Sequence, residues 1–404
     1  MLRVKTPQEV WELIDREFHT ISTTEYVSLE DAVGRVLAED VKAREYVPDF
    51  NRSTVDGYAV RAKDTFGCSD SMPAILTQTG QVNMGEAAEI QADEDTCVAV
   101  PTGGQVPEGA DAMVMIEYTE DYGDGTIGIL KSVAPGANMI YRGDDVSPGQ
   151  IVLKKGKQIM TQDVGALAAM GISRVPVMRQ LRVGIISTGD ELIPVEEKPG
   201  PGQIRDVNST LLLAVMREAK TEAVSYGIVR DQEEILARVL RQAMKECDMV
   251  LISGGSSVGA KDATCRVIEE LGENLLHGIA MKPGKPTIMG KVDGRPVLGL
   301  PGHPVAAFFV TQLFVLPLVD RLTGMERCFY PIKAILEENV GANHGRAQYM
   351  GVFLRKENDK VFAKPIRSKS GLISSLAGAA GYFCIERDCE GMAAGTEIDV
   401  ILYG

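Results

Sequence analysis

The sequence predicts a multidomain chain of α/β plus β character: a central α/β domain with a mostly parallel sheet, a small inserted β domain, a helical and strand-bearing framework domain and a C-terminal β domain. Three observations carry this reading. The chain has 404 residues, and at ~150 residues per domain that length predicts about two to four separate cores. Residues 180 to 323 alternate apolar strand-like runs with amphipathic helices, as expected of a sheet covered on both faces. Residues 46 to 145 and 327 to 404 show short runs broken by Gly, Pro, Asp and Asn, as expected of smaller β domains.

The elements follow in order. Thr6-Pro7-Gln8-Glu9 sets a capping Thr before a first-turn Pro, with Glu three residues after the cap, and predicts a helix from 7 to 19. Val10, Trp11, Ile14 and Phe18 give that helix an apolar face that must dock elsewhere. Ser28-Leu29-Glu30-Asp31 predicts a shorter helix ended by Gly34. The runs AILTQTGQV, CVAVPTGG, AMVMIEYTE and TIGILKSV are the strands of the inserted domain, and Thr161 to Met170 reads as a helix again. A β segment flanked by helical ones predicts an insertion at 46–145 into a framework made of 1–45 and 146–178.

The α/β domain, 179–326, begins with LRVGIIS. A helix from Ser209 to Ala219, the run AVSYGIV, a helix from 232 to 246 and MVLIS come next, then a helix near 263 to 271. Strand-like segments at HGIAM, TIMGKV and PVLGL precede a long helix from 304 to 322. The final domain, 327–404, carries YPIKAIL, YMGVFLRK, KVFAKPI, YFCIE and EIDVILY, with a hairpin turn at Glu357-Asn358-Asp359.

Composition removes several function classes. Apolar residues make up 45% and charged residues 24%, which argues against disorder and fibrous structure. The net charge of -14 is opposite to the basic footprint of nucleic-acid binders. Seven cysteines, at 68, 97, 247, 265, 328, 384 and 389, lack the spacing of a disulfide scaffold and point to a reducing compartment. Cys384 and Cys389 have no nearby His and do not read as a zinc site. The first fifteen residues hold no apolar signal core, and no uninterrupted apolar stretch approaches the ~20 residues of a membrane span. A soluble, cytoplasmic protein is expected, with neither nucleic acid nor membrane as partner.

Ligands of open parallel sheets bind beyond the carboxyl ends of the strands. After LRVGIIS come Thr188, Gly189, Asp190 and Glu191; after AVSYGIV, Arg230 and Asp231. After MVLIS come Gly254, Gly255, Ser256, Ser257, Val258 and Gly259, with Asp262 close behind. Lys282-Pro283-Gly284-Lys285-Pro286 follows HGIAM, and Pro301-Gly302-His303-Pro304 follows PVLGL at a helix start. Glycine turns let backbone N–H groups approach phosphate oxygens, and a helix start adds partial positive charge. Lys282 and Lys285 suit an anion; Asp190, Glu191, Asp231 or Asp262 suit a hard cation such as Mg²⁺.

Each piece also has a plainer reading. GGSSVG is an ordinary strand-to-helix turn, Asp231 and Asp262 are helix caps, and KPGKP is an exposed loop. Five loops on one edge favour the site over five coincidences. In the inserted domain, Asp56-Gly57 within NRSTVDGYAV is either a tight turn or a ligand approach, Val100-Pro101-Thr102-Gly103-Gly104 an ordinary turn or an oxyanion site, and Arg142-Gly143-Asp144-Asp145 a solvated hinge or a site loop. There is no GxxxxGK[ST], HExxH, GxSxG or CxxC, and only four histidines, so nucleophilic catalysis has little support.

NRSTVDGYAV, PTGGQVPEGADAMV, RGDDVSPG, STGDEL, GGSSVG with Asp262, MKPGKP and LPGHPVA occur in the order of a known family. Over essentially the whole chain the sequence resembles the molybdopterin molybdenumtransferases, known as MoeA in bacteria and as the E domain of gephyrin. The resemblance implies insertion of molybdate into adenylylated molybdopterin, with Mg²⁺-dependent release of AMP. It implies a homodimer whose cleft lies between the α/β domain of one subunit and the inserted β domain of the other. A molybdopterin adenylyltransferase is a further expected partner. Carried over by motif, the functional positions are Asp56, Thr102, Asp145, Asp190, Glu191, Asp231, Asp262, Lys282 and Lys285. Lys282, Lys285 and the GGSSVG backbone then hold phosphates, Glu191 and Asp262 with Asp190 position Mg²⁺, and Asp56 and Thr102 orient the pterin or molybdate across the dimer. One departure is His303, where many members have Asn. The alternatives are a molybdopterin adenylyltransferase and a non-catalytic molybdopterin-binding scaffold.

Overall fold

The structure is a computed structural model that describes residues 4–20, 23–254, 263–327, 330–342 and 344–403. The chain forms two compact units, one built from residues 1–39, 156–160 and 174–404, the other from 40–155 and 161–173.

In the first unit, helix α1 (Pro7–Glu17) carries both bonds of a capping box, Glu9 N–H donating to Thr6 Oγ1 at 3.2 Å and Thr6 N–H to Glu9 Oε2 at 2.6 Å. Its apolar face buries Val10, Leu13 and Ile14. Strand β1 (Thr24–Ser28) pairs antiparallel with β2 (Arg174–Met178). The helix expected from Ser28 to Gly34 does not form. Ser28 Oγ instead donates to Asp31 at 2.9 Å, the backbone bonds run from residue i+3 back to i in four-residue turns, and Gly34, at φ +81°, donates across to Ile159 O. Local side-chain bonding by Ser and Asp competes with helix formation in this way.

The α/β block contains β3 (Arg182–Thr188), α2 (Val207–Glu218), β4 (Glu222–Val229), α3 (Glu233–Glu246), β5 (Met249–Ser253), α4 (Ala263–Leu271), β6 (Glu273–His277), β7 (Ile288–Val292), β8 (Arg295–Leu300) and α5 (Pro304–Thr323). Its sheet runs β4-β3-β5-β8-β7-β6. The three pairings β4/β3, β3/β5 and β5/β8 are parallel; β8/β7 and β7/β6 are antiparallel. Alternation along the strands decides which face each residue serves. Val183, Ile185, Met249, Leu251 and Leu298 pack with α1, α2 and α5, whereas Ile186, Val250, Ile252 and Val297 pack with α3 and α4.

Helix α5 is 20 residues long and apolar enough to cross a membrane by length and composition, although Thr311-Gln312 and Asp320-Arg321 interrupt its apolar run. Most of it is buried against the sheet, and that burial accounts for its hydropathy. Its turn at Thr311–Val315 is π-helical. Pro317 supplies no N–H to the carbonyl of Leu313, four residues earlier. The indole N–H of Trp11 donates to that carbonyl instead, at 2.8 Å.

HGIAM is not one strand. Glu273–His277 belongs to the α/β sheet, Gly278 breaks the extended run at φ +102°, and Met281–Lys282 pairs in parallel with Ala347–Gln348 of another sheet. That other sheet contains β9 (Ile332–Leu336), β10 (Ala347–Glu357), β11 (Lys360–Pro365), β12 (Gly381–Ile385) and β13 (Glu397–Leu402). Its order is β10-β11-β9-β13-β12, and β12 pairs back onto β10, closing a barrel around Leu336, Val352, Ala363, Phe383, Ile385 and Val400. Asn358 and Asp359 turn the β10–β11 hairpin at φ +48° and +61°, with Glu357 opposite Lys360. Such a two-residue turn needs left-handed backbone at both positions, which after glycine Asn and Asp tolerate best.

The second unit holds a six-stranded sheet in the order Ala112–Met115, Gly57–Val60, Thr96–Val100, Ala74–Gln81, Thr126–Ile129, Thr119–Asp121, and a helix at Thr161–Ala169. Both faces of the sheet are buried, one around Leu76, Cys97, Val114 and Ile127, the other around Ala59, Val98, Val100 and Met113.

Candidate active site

The carboxyl edge of the parallel strands in the first unit opens into a cavity of about 1230 Å³, walled on its far side by the barrel. Thr188, Gly189 and Glu191 enter it from the end of β3, Asp231 from beyond β4, Gly254 from the end of β5, and Pro301, Gly302 and His303 from the end of β8. Lys282, Pro283, Gly284, Lys285 and Pro286 come from the loop that leads into β7. Because β7 runs antiparallel to β8, with Ile288 opposite Gly299, the loop entering it lies at the edge where β8 ends.

Backbone packing fixes this edge. A Cβ on Gly254, at φ +104°, would stand 2.0 Å from the carbonyl of Thr188, so the two strand ends cross at a distance that only glycine allows. Asn208, buried in the first turn of α2, donates to Ser253 Oγ at 2.7 Å and to the carbonyl of Gly302 at 3.0 Å, tying the ends of β5 and β8 together. Asp206 caps that helix through Ser209 N–H. Thr188 Oγ1 and Asn208 Oδ1 are buried polar atoms without a hydrogen-bond partner among the described residues. An unmet polar atom is costly to bury, and Thr188 borders the cavity, where a ligand group can meet it.

The barrel supplies what the strand-end argument missed. Arg346 lies just before β10, and Arg367, Ser368, Lys369 and Ser370 follow β11; all line the cavity. Five cationic side chains, Lys282, Lys285, Arg346, Arg367 and Lys369, thus face two carboxylates, Glu191 and Asp231, among the described lining residues. In a chain of net charge -14 this is a local reversal of sign, and such a cleft concentrates anions. Arg367 is shared with Glu338 at 3.3 Å, whereas Lys282, Lys285, Arg346 and Lys369 form no ion pair with a described carboxylate. Tyr349, on the wall, has its phenol pushed upward by burial and stays neutral.

Asp190 is exposed beside the cavity and is not one of its lining residues. Gly255, Ser256, Ser257, Gly259 and Asp262 lie outside the described residues. Among those described, no three His, Cys, Asp or Glu side chains come together to hold a metal. Mg²⁺ commonly takes one or two carboxylates together with substrate phosphates, so Glu191 and Asp231 fit an ion shared with a ligand rather than one caged by protein.

Asp56, Thr102 and Asp145 belong to the second unit. Asp56 and Thr102 are joined directly: Thr102 N–H donates to Asp56 Oδ1 at 2.8 Å, and the carbonyl of Asp56 accepts from Ile116 N–H at 3.0 Å. Gly103 and Gly104 close the same cluster by exchanging backbone bonds with Ser53 at 2.8 and 2.9 Å. Gly57 is a strand residue rather than part of a tight turn, and a Cβ there would stand 1.9 Å from the carbonyl of Val114. Asp145 is exposed in a turn tied to Val47 O through its backbone N–H at 3.0 Å, and neighbouring Arg142 pairs with Asp49 at 2.8 Å.

Residues 5–171 match the family described as "MoeA N-terminal region (domain I and II)", 184–321 that described as "Probable molybdopterin binding domain", and 333–403 that described as "MoeA C-terminal region (domain IV)". The chain is 32% identical to the molybdopterin molybdenumtransferase of Bacillus subtilis, covering 100% of this chain and 95% of that protein. It is 33% identical to molybdopterin molybdenumtransferase 2 of Mycobacterium tuberculosis, over 93% and 94%. The crystal structure of the molybdopterin biosynthesis MoeA protein from Pyrococcus horikoshii superposes with a TM-score of 0.88 at 35% identity, over 99% and 100% of the two chains.

Proposed function

The chain belongs to the MoeA family of molybdopterin molybdenumtransferases, transferases of molybdenum cofactor biosynthesis, and on that premise we propose that its cationic cleft binds adenylylated molybdopterin and molybdate and joins them with release of AMP. The observation that carries the proposal is the excess of cations over carboxylates among the described residues lining the cleft between the strand ends and the barrel, in an acidic protein. Both substrates are anions, and each needs charge compensation before the two can be brought together.

Lys282 and Lys285 hold the phosphates from the α/β side, and Arg346 with Lys369 holds the oxyanion from the barrel side. Thr188 Oγ1 offers a hydrogen bond that no described protein group uses. Glu191 and Asp231 would hold Mg²⁺, which would supply charge neutralisation for the phosphoanhydride. The sulfurs that take up molybdenum belong to the substrate, so the protein contributes orientation and electrostatic stabilisation rather than a covalent intermediate. Asp56, Thr102 and Asp145 act from a second copy of the chain, orienting the pterin end. The exposed Asp56 carboxylate, already committed through one oxygen to Thr102, supports this role.

The test mixes the purified protein with adenylylated molybdopterin, Mg²⁺ and sodium molybdate and measures AMP. Molybdate-dependent AMP release is expected. ATP consumption with unadenylylated molybdopterin would favour an adenylyltransferase instead, and neither activity would leave a binding scaffold.

A further inference from the structure

We propose that His303 is a positioning residue whose ring directs the hydroxyl of Ser370 in the cleft, and so couples oxyanion affinity to the protonation of that ring. This rests on the reading of the cleft as an oxyanion site. His303 precedes α5 and makes no capping bond of its own. Its Nδ1 lies 2.7 Å from Ser370 Oγ, and the carbonyl of Ser370 accepts from Val305 N–H at 3.0 Å. One residue of the barrel's loop is therefore tied twice to the start of the helix. The same loop carries Arg367, Ser368 and Lys369, all on the cavity wall.

The hydrogen bond can run in either direction, and the direction matters to an anion. With Nδ1 bare, the Ser370 hydroxyl spends its only proton on the ring and turns lone pairs toward the cleft, which repel an oxyanion. With the ring doubly protonated, Nδ1–H donates to Oγ and the hydroxyl proton is free to donate to a ligand. Relative to the neutral tautomer with bare Nδ1, protonation thus adds one donor besides one positive charge. Among the described residues, the charged groups sharing the cavity with His303 are Lys282 and Lys285 from the loop before β7, Arg346, Arg367 and Lys369 from the barrel, and Glu191 and Asp231 from the strand ends. As residue types, lysine, arginine and the carboxylates keep their charge across the neutral range, and histidine is the type that changes it there.

The experiment titrates sodium molybdate into the full-length protein by calorimetry at pH 6 and pH 8, where molybdate remains a dianion, for the wild type, H303N, S370A and the double variant. Both positions are exposed or half-exposed, and thermal melting confirms that each variant is folded. The wild type is expected to bind about tenfold more tightly at pH 6, the scale of one charge-assisted hydrogen bond. H303N, which keeps a hydrogen-bonding side chain without a titrating ring, is expected to lose most of that difference. S370A is expected to lose most of it too, although its imidazole still titrates, and the double variant to behave like either single one. A full pH response in S370A overturns the proposal, because the histidine would then act by charge alone. Equal pH responses in H303N and the wild type overturn it as well. No saturable binding by the wild type at either pH would bring down the oxyanion reading of the cleft and this inference together, whereas wild-type binding with unaffected variants brings down the inference alone.

Discussion

Asp56 offers two separable contributions, and replacing it by Asn and by Ala tells them apart. Its Oδ1 accepts the backbone N–H of Thr102 at 2.8 Å, in an exposed setting. Deleting that acceptor in D56A costs about 1–2 kcal/mol of local order in the Pro101–Gly104 turn, the scale of a bond to a charged group with water as competitor. D56N keeps an acceptor oxygen at the same place and removes only the charge. If the carboxylate acts on the substrate, as proposed, D56N should slow molybdate-dependent AMP release by about a hundredfold or more, the lower range for a group active in proton transfer or transition-state orientation. Its melting temperature should stay within about a degree of the wild type, the range of a neutral surface change. D56A should be at least as slow and slightly less stable. A D56N enzyme within a few-fold of the wild-type rate, beside a slow D56A, would show that Asp56 is a clasp for the Thr102 turn and nothing more.

Further outcomes follow from other contacts. Trp11→Phe removes the indole donor at Leu313 O, the carbonyl that Pro317 cannot serve, and should cost about 2–3 kcal/mol in urea unfolding followed by circular dichroism. Pro317→Ala restores a backbone donor, so the same Trp11 change in that background should cost clearly less; equal costs would refute the substitution of one donor for the other. Gly254→Ala should destabilise the first unit by at least about 2 kcal/mol, since its Cβ would meet the Thr188 carbonyl at 2.0 Å in left-handed backbone, and an unchanged melting temperature would contradict the close crossing. Burial pushes the thiols of Cys97 and Cys384 from 9.0 to about 12, and the phenol of Tyr382 from 10.0 to about 12. Each folded group holds its proton more tightly than the unfolded one, so stability is intact below about pH 9 and declines as pH rises toward 12. Urea midpoints measured from pH 8 to 10.5 should fall, and less steeply in Cys97→Ala; parallel slopes would refute the assignment.

The sequence made the α/β block legible because its signals are local. The capping box of α1, the periodic helices and the apolar strands each show within a dozen residues, and helices of 12 and 14 residues stand where periodicity placed them. Glycine and acidic residues at strand ends were visible for the same reason, and topology gathered Thr188, Glu191, Asp231, Lys282, Lys285 and His303 around one cavity. What stayed hidden is long-range. Closure of the barrel by β10 and β12 depends on pairing Gln348 with Ile385, which no local pattern announces. Arg346, Arg367 and Lys369 look like ordinary surface charges until the barrel sets them across from KPGKP. Asn208 reads as a helix residue, and its service to Ser253 and Gly302 appears only in three dimensions. Residues 29–34 misled in the other direction: polar residues that suit a helix start also suit a self-bonded turn.

The short passage from Lys282 to Ile288 is stitched at one end to the barrel and at the other to the α/β sheet. Its five intervening residues give a leash of roughly 20 Å at full stretch, and three of the five are held further by Thr287 Oγ1 to Gly284 O at 2.7 Å and by Ile279 N–H to Lys285 O at 2.9 Å. Any widening of the gap between the two sheets therefore pulls on the very strip of chain that bears both lysines. Breathing of the cleft and the placement of its charge are mechanically one movement, and a substrate able to draw the walls together would also gather the ammonium groups around itself.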